Sequence, residues 1–317
     1  MILTWALMWV NWAWDLLMPW TWGQSLTTEL VCLNVRGLED PRTVRHLRHE
    51  LRDSNSSVVF LIRTKLSDSR MARVHRYYGF PHGIDVSSVG RSIDLSLAWK
   101  DPDSISLCSF FERHIDFMID EDSDGKVWKC TGFYGAREEQ HREESWNFLR
   151  TLAATVQVSW LVVGDFNEIM FADEKREGLR RSERQMSCFR YALSDCSLMN
   201  IGYRGSWYTW EKGRVQATNI RERVDRGVAN DLWWNTFQDF TMDHIAHSFL
   251  DHCPLLLNTV GVTDTQRQWH VKFEASWLLE DSCEHEVLTL WNAATGSVSS
   301  LLLYVCPGLN RWFCKIR

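Results

Sequence analysis

The sequence predicts an α/β fold built as one large domain. Three observations carry that reading. Short runs of bulky apolar residues recur from about Leu30 to Leu257 and stop abruptly at polar or turn residues, as buried strands do. Segments with apolar residues at three- and four-residue steps lie between them, the spacing of amphipathic helices. No Gly/Ser/Pro-rich linker interrupts these blocks, and at 45% hydrophobic content the 317 residues suffice for one large core.

Taken in order, Leu30-Val31-Cys32-Leu33 reads as a first strand that ends at Asn34 and turns at Gly37. Pro41 then opens a helix with Val44, Leu47 and Leu51 on one stripe. Proline is tolerated there because its missing N–H has no partner in a first turn. Asp53-Ser54-Asn55-Ser56 ends the helix, and Val58 to Ile62 forms a second strand that stops at Arg63. Leu95 to Trp99 gives a third. His114–Ile119 and Val127–Phe133 flank Asp122-Ser123-Asp124-Gly125, a hairpin signal because Asp-Gly supplies the positive φ of a tight turn. Arg142 to Val156 is helical in pattern and leads into the Leu161–Val163 strand; Ser182 to Asp195 is a further helix carrying Met186, Phe189 and Leu193 inward. Tyr208-Thr209-Trp210 and Ile220–Val228 read as strands, Trp233-Trp234 as a turn, and Leu255 begins the last strand. Beyond Val260, Trp277-Leu278-Leu279 and Val287, Leu288 and Trp291 read as helices of a tail.

Three regions follow: a Trp-rich extension over 1–26, expected to be poorly ordered, a core over 27–260 and a helical tail over 261–317. The first 22 residues hold six of the 18 tryptophans, but Asp15 and Pro19 cut the apolar run short of the roughly 20 residues a membrane span needs. No basic n-region or small-residue cleavage site marks a secretory leader. The nine cysteines are scattered at spacings that suit no zinc site, which fits a reducing intracellular setting, nuclear or cytoplasmic.

The net charge of -6 does not advertise a nucleic-acid binder, yet the charge is uneven. Ten Lys/Arg stand against five Asp/Glu from Arg36 to Arg76, and twelve against eight from Phe171 to Asn230. From Asp101 to Asn147 twelve acidic residues face five basic ones, so one side of a cleft is expected to be basic and the opposite edge acidic.

Two stretches carry the chemistry. Trp160-Leu161-Val162-Val163 ends in Gly164-Asp165-Phe166-Asn167-Glu168, a buried strand delivering a carboxylate and an amide to its C-terminal rim. Asp251-His252-Cys253-Pro254-Leu255 sets an acid–imidazole pair just before the last strand. Carboxylate, amide and imidazole at strand ends form the inventory for metal-assisted attack on a phosphate ester. Singly, each residue has a plainer account. Asp165 suits a turn after Gly164, Asn167 a helix cap, His252 a structural histidine, Tyr134 plain core and Asp225 a surface ion pair with Arg223 or Arg226. Their joint occurrence at strand ends favours the chemical reading.

Seven blocks, in this order, resemble the endonuclease/exonuclease/phosphatase superfamily, and within it the endonuclease domain of plant non-LTR retroelements. They are Asn34-Val35-Arg36-Gly37-Leu38, Phe60 to Leu66, Thr131-Gly132-Phe133-Tyr134-Gly135, Gly164 to Ile169, Tyr208-Thr209-Trp210, Glu222 to Arg226 and Asp251 to Leu255. The resemblance runs from about Thr27 to Leu257; Phe273-Glu274-Ala275-Ser276-Trp277 looks like the connector to a reverse transcriptase that does not follow.

The resemblance implies a DNase-like, four-layer sandwich of two packed mixed β-sheets flanked by helices, a DNA partner and Mg²⁺, which prefers hard oxygen ligands. It also implies roles. Asn34 and Asp251 serve the metal shell, Tyr134 bonds the scissile phosphate and Asp165 orients or deprotonates water with Asn167 beside it. His252 contacts a non-bridging oxygen and is held by Asp225 through its other ring nitrogen. Members of the family carry a glutamate, the principal metal ligand, where this chain has Arg63. A guanidinium about 4 Å from a divalent ion opposes it by roughly 8 kcal/mol at an effective dielectric of about 20. Arg63 is therefore expected to lie against Asp165 or Asp251, in the place of the metal. Two further departures are Arg91-Ser92-Ile93-Asp94, where a Gly-Gly pair is usual, and Leu250 ahead of Asp251. The expectation is a Mg²⁺-dependent, DNA-nicking phosphodiesterase by descent, inactive in a decayed copy. The alternatives are a non-catalytic remnant that binds nucleic acid or protein and, last, an enzyme acting on lipid or inositol phosphates.

Overall fold

The computed structural model describes residues 28–87, 94–121, 126–213, 219–245, 250–260, 282–293 and 305. Along the chain run β1 (Glu29–Asn34), α1 (Pro41–Asp53), β2 (Val58–Ile62), α2 (Asp68–Tyr78), β3 (His82–Val86), β4 (Leu95–Trp99), β5 (Ile105–Phe111), β6 (His114–Glu121) and β7 (Lys126–Tyr134). Then come α3 (Arg142–Ala153), β8 (Trp160–Asp165), β9 (Lys175–Arg176), α4 (Glu183–Asp195), β10 (Met199–Asn200), β11 (Arg204–Gly205), β12 (Trp210–Lys212) and β13 (Ile220–Glu222). The rest are β14 (Asp225–Ala229), α5 (Asp231–Thr236), β15 (Thr241–His244), β16 (Leu255–Asn258) and α6 (Cys283–Ala293).

The unbroken apolar runs become central strands because both of their faces are covered. One mixed sheet of seven strands has the order β11-β15-β16-β1-β2-β4-β3; the other, of six, has the order β10-β14-β8-β7-β6-β5. Leu30, Cys32, Phe60, Ile62, Leu95 and Leu97 of the first sheet pack against Ile115, Phe117, Trp128, Cys130, Leu161 and Val163 of the second. The alternate residues of the first sheet, Val31, Leu33, Val59 and Leu61, take Leu47 and Leu51 of α1 and Met71 and Tyr78 of α2. On the far side Phe133, Trp160 and Val162 take Trp146 and Leu149 of α3 and Phe189 and Leu193 of α4. The result is the expected sandwich, helix–sheet–sheet–helix. Among the described residues no helix is long and apolar enough to cross a membrane.

Helix starts follow the local chemistry. Asp40 caps α1 by accepting from the Arg42 N–H, with Pro41 in the first turn. Ser182 and Gln185 form a reciprocal capping box on α4. Asn230 accepts from the Trp233 N–H and so turns the expected Trp233-Trp234 turn into the short helix α5. The expected Ile220–Val228 strand is divided. Ile220–Glu222 joins a small third sheet, β12-β13-β9, whereas Asp225–Ala229 pairs with β8 of the six-stranded sheet. Thr209 makes the break, its Oγ1 accepting from the N–H groups of Val224 and Asp225. Strands β3, β5, β9, β10, β11 and β15 and helix α2 went unread in the sequence. The arms of the Asp122–Gly125 hairpin pair as expected, with Glu121 opposite Lys126; the turn itself, the 1–26 extension, Arg91-Ser92-Ile93 and Trp277-Leu278-Leu279 lie outside the described residues.

Two parallel pairings set up the site. β1 runs parallel to β2 with Asn34 opposite Ile62, and β7 runs parallel to β8 with Tyr134 opposite Asp165. Parallel neighbours end at the same rim, so both sheets deliver their polar termini to one edge of the sandwich. The sheets approach closely beneath it: a Cβ on Gly132 would lie 2.5 Å from the Phe60 ring. Gly132→Ala is therefore expected to cost about 1–3 kcal/mol through overpacking. Chemical denaturation would read this as a lower midpoint with an unchanged slope; a midpoint equal to that of the parent would contradict the close approach.

Candidate functional site

Asn34 ends β1, and its Nδ2 donates to Asp165 Oδ2 at 2.8 Å, from one sheet to the other. Its Oδ1 accepts from the Arg36 N–H at 3.2 Å. Asp165 is fully buried and has a second tie: its Oδ1 accepts from the Asn167 N–H at 2.9 Å. That two-residue step is an Asx turn, and it puts Asn167 in the left-handed region at φ 54, which asparagine tolerates. The turn reading and the chemical reading of Asp165 are thus compatible. Asn167 Nδ2 donates to the Gly135 carbonyl, and the Gly135 N–H donates back to the Asp165 carbonyl, which fixes the loop after β7 to the loop after β8.

His252 is buried, with Nδ1 at 3.0 Å and 3.2 Å from the two oxygens of Asp225. Nε2 faces Asp165 Oδ2 at 4.0 Å. Burial opposes the charged imidazole, but the charge of Asp225, its hydrogen bond and the charge of Asp165 prevail, so His252 is raised above its ordinary 6.5. Asp165 is pushed up to about 6 by burial and by Asp225, against the pull of His252 and the hydrogen bonds from Asn167 and Asn34. Burial, with Asp165 adding, likewise lifts Tyr134 to about 12, so its phenol stays protonated and able to donate.

Asp251 differs from expectation. Its Oδ2 accepts from Arg36 Nη1 and, at 3.3 Å, from Trp210 Nε1. Arg63 was expected against Asp165 or Asp251; instead it forms no ion pair among the described residues, and Arg36 holds Asp251. The reason is local. Arg36 leaves β1 in the left-handed region at φ 48, two residues beyond Asn34, while Arg63 leaves the neighbouring β2 at φ 61 with its N–H donating to the Asp94 carbonyl at 2.7 Å.

Asn34, Tyr134, Asp165, Asn167, Asp225, Asp251 and His252 therefore meet at one rim. Two residues were missed from the sequence. Trp210 braces Asp251 and sets its ring 6.3 Å from that of His252; Thr209 fixes the start of β14 and, through its carbonyl, the Cys253 N–H. Both belong to the Tyr208-Thr209-Trp210 block, but nothing in that block announced a bond to a carboxylate 41 residues away. Buried ion pairs anchor the surroundings: Glu168 accepts from Arg142, and Glu174 accepts from Arg223 and Arg226.

Asp165, Asp225 and His252 each offer a ligand atom within 4.8 Å of the others, so the geometry alone admits a cation. The donor chemistry does not suit Mg²⁺. The His252 imidazole is a nitrogen donor engaged at Nδ1 by Asp225 and raised in proton affinity, and the two oxygens expected for the metal, on Asn34 and Asp251, already accept from Arg36. The residue that closes β2, Arg63, offers a guanidinium and no oxygen ligand.

The Asp225–His252 pair has a sign that can be tested. A raised imidazole contributes stability that is fully present below pH 6.5 and is lost as pH rises through the folded value. In Asp225→Asn, burial governs, and the His252 titration followed by NMR is expected to fall below 6.5. An unchanged titration in that variant would show that Asp225 does not hold the proton.

The sequence matches the family model described as Endonuclease/Exonuclease/phosphatase family over residues 31–306. No curated protein matches it in sequence. Among solved structures, an AP endonuclease from Archaeoglobus fulgidus matches with a TM-score of 0.57 at 17% identity, covering 73% of this chain and 98% of that one. An AP endonuclease from Leishmania major matches with a TM-score of 0.58 at 15% identity, over 77% and 93%. The endonuclease domain of TRAS1, a telomere-specific non-LTR retrotransposon, matches with a TM-score of 0.54 at 12% identity, over 73% and 97%. At such identities the likeness is one of fold.

Proposed function

Because the chain belongs to the endonuclease/exonuclease/phosphatase family, we propose that its rim is a phosphodiester site of retroelement-endonuclease descent, for DNA, that no longer hydrolyses. One observation carries the reading. A buried carboxylate, Asp165, bonded across the sheets to Asn34, lies beside an imidazole that Asp225 orients. Titratable groups buried at this density cost stability, and a functional site is where a chain retains them.

Each residue has a task that needs no group beyond the chain. Tyr134 donates its phenol hydrogen to a phosphate oxygen. His252, raised in proton affinity by Asp225 and oriented through Nδ1, directs its Nε2 hydrogen at a second oxygen. Asp165, with a carboxyl near 6, accepts a hydrogen bond from water at the position from which in-line attack would come in a hydrolysing member of the family. Asn167 and Asn34 hold that carboxylate in place. In the family Mg²⁺ supplies charge neutralisation at the phosphate; here the residues do not fit it, so no hydrolytic step is routed through it.

The plant element, the 27–260 core and the 261–317 tail as a connector belong to this reading and rest on the sequence blocks. The non-catalytic alternative, a remnant that binds nucleic acid, gains support from the Arg36–Asp251 contact, which closes one expected ligand position.

Nicking of supercoiled plasmid with Mg²⁺ tests the proposal. The chain as it stands is expected to show negligible nicking, Arg63→Glu to recover part of it, and Arg63→Glu with Asp165→Ala to lose it again by roughly 10²-fold or more. Nicking by the parent that survives Asp165→Ala, or an inert but folded Arg63→Glu, would reject the assignment.

A further inference from the structure

Among the described residues, Arg36, Arg63, Lys65 and Arg137 lie at the rim, and of these Arg36 has an ion-pair partner. Arg36 follows Asn34 out of β1, Arg63 and Lys65 follow Ile62 out of the paired β2, and Arg137 lies three residues beyond Tyr134 at the end of β7. The loops are locked side by side: the Val35 N–H donates to the Ile62 carbonyl at 3.0 Å and the Leu38 N–H to the Thr64 carbonyl at 2.9 Å. The Lys65 stem lies over Gly37, where a Cβ would come within 3.2 Å of it. Arg36 alone has a carboxylate, Asp251; Arg63, Lys65 and Arg137 form no ion pair among the described residues. The other carboxylates at the rim are engaged, Asp165 by Asn34 and Asn167, Asp225 by His252.

The backbone adds a second observation. Arg36, Lys65 and Arg63 all sit in the left-handed region, at φ 48, 55 and 61. Non-glycine residues held there cost free energy, and such residues cluster where a ligand is held. Like charges gathered on strained loops, three of the four without an ion pair among the described residues, repel one another until an anion arrives. A guanidinium also meets a phosphate through two parallel N–H bonds, a match that a carboxylate ligand of a metal does not provide.

We infer that Arg36, Arg63, Lys65 and Arg137 form a metal-independent receptor for phosphate oxyanions at the mouth of the cleft. The inference rests on the phosphodiester reading of the site and changes its terms. The charge that a glutamate and a divalent ion would jointly bring, one net positive, is supplied by Arg63 alone. The bound phosphate lies against arginines, within reach of the Tyr134 phenol. It competes with Asp251 for Arg36. The chemistry is common to an internal phosphodiester of a nucleic-acid strand and to free phosphate, so both are used as probes.

The test measures fluorescence anisotropy of a labelled single-stranded oligonucleotide with the full chain, in EDTA and in Mg²⁺ at equal ionic strength. Inorganic phosphate serves as competitor. Binding is expected to be the same with and without the metal. Arg63→Glu and Arg137→Gln are each expected to weaken it by about tenfold. Loss of a phosphate contact flattens the slope of log affinity against log salt by about 0.7 for a single strand. Displacement by phosphate identifies a terminal or free phosphate as the ligand; retention identifies the internal diester; either supports the receptor. Circular dichroism checks that the variants fold, and Lys65→Gln, at an exposed loop position, gives a third reading.

Binding that requires Mg²⁺, or that ignores all three substitutions, overturns the inference. The two proposals fail separately. An Arg63→Glu chain that stays inert in nicking removes the hydrolase ancestry of the site but leaves a metal-free receptor standing. Recovered nicking together with metal-dependent binding by the parent does the reverse.

Discussion

The hydrogen bond from Asn34 Nδ2 to Asp165 Oδ2 joins the end of a strand in one sheet to the end of a strand in the other. It is made between buried groups, so neither partner is easily removed without leaving the other unsatisfied, a loss of about 1–3 kcal/mol. Its existence requires that the two sheets pack face to face with their parallel pairs ending at the same edge. The close approach of Gly132 to Phe60 and the shared core beneath it provide that condition. Every other polar group of the rim is placed relative to this bond: Asn167 folds back on the same carboxylate, and His252 faces it from the third direction.

In the proposed reading the scaffold of the site is kept while its metal chemistry is lost. The carboxylate, the amides and the oriented imidazole are held by hydrogen bonds in which Arg63 takes no part. Buried pairs, Glu168 with Arg142 and Glu174 with Arg226, keep the flanking loops in place independently of the rim. Breaking such a pair by removing one partner is costly, about 3–5 kcal/mol, which makes the framework resistant to local change. In the proposed reading, a guanidinium at position 63 in place of a carboxylate alters the charge of the mouth by two units. Asp251 then finds a cation in its own chain, Arg36, where an ion of the solvent would otherwise satisfy it.

Much of the fold was legible in the sequence because its signals are local. Leu30–Leu33, Val58–Ile62 and Leu161–Val163 are apolar on both faces, and only a strand buried between layers asks for that pattern. Pro41 and Ser182 announced their helices through cap chemistry. Edge and outer strands were harder. β5, Ser-rich and exposed beyond Ile105, has neither a clean alternation nor an apolar run, and β3 is only half buried. The Ile220–Val228 segment looked continuous because periodicity does not report the Thr209 bonds that send its two halves to different sheets. For the site, strand-end position and family order identified seven polar residues that meet in space. Which arginine would take Asp251 was not legible, since that depends on the φ angles of Arg36 and Arg63 rather than on their place in the chain.

The central claim is that arginine occupies the role a divalent ion would have at this rim, and direct titration of the ion tests it without reference to catalysis. Calorimetric titration of Mg²⁺ into the full chain, beside Arg63→Glu, should give no saturable site in the parent and one site in the variant. A stoichiometric Mg²⁺ site in the parent, lost in Asp165→Ala, would contradict the account and restore the metal to the centre of the chemistry.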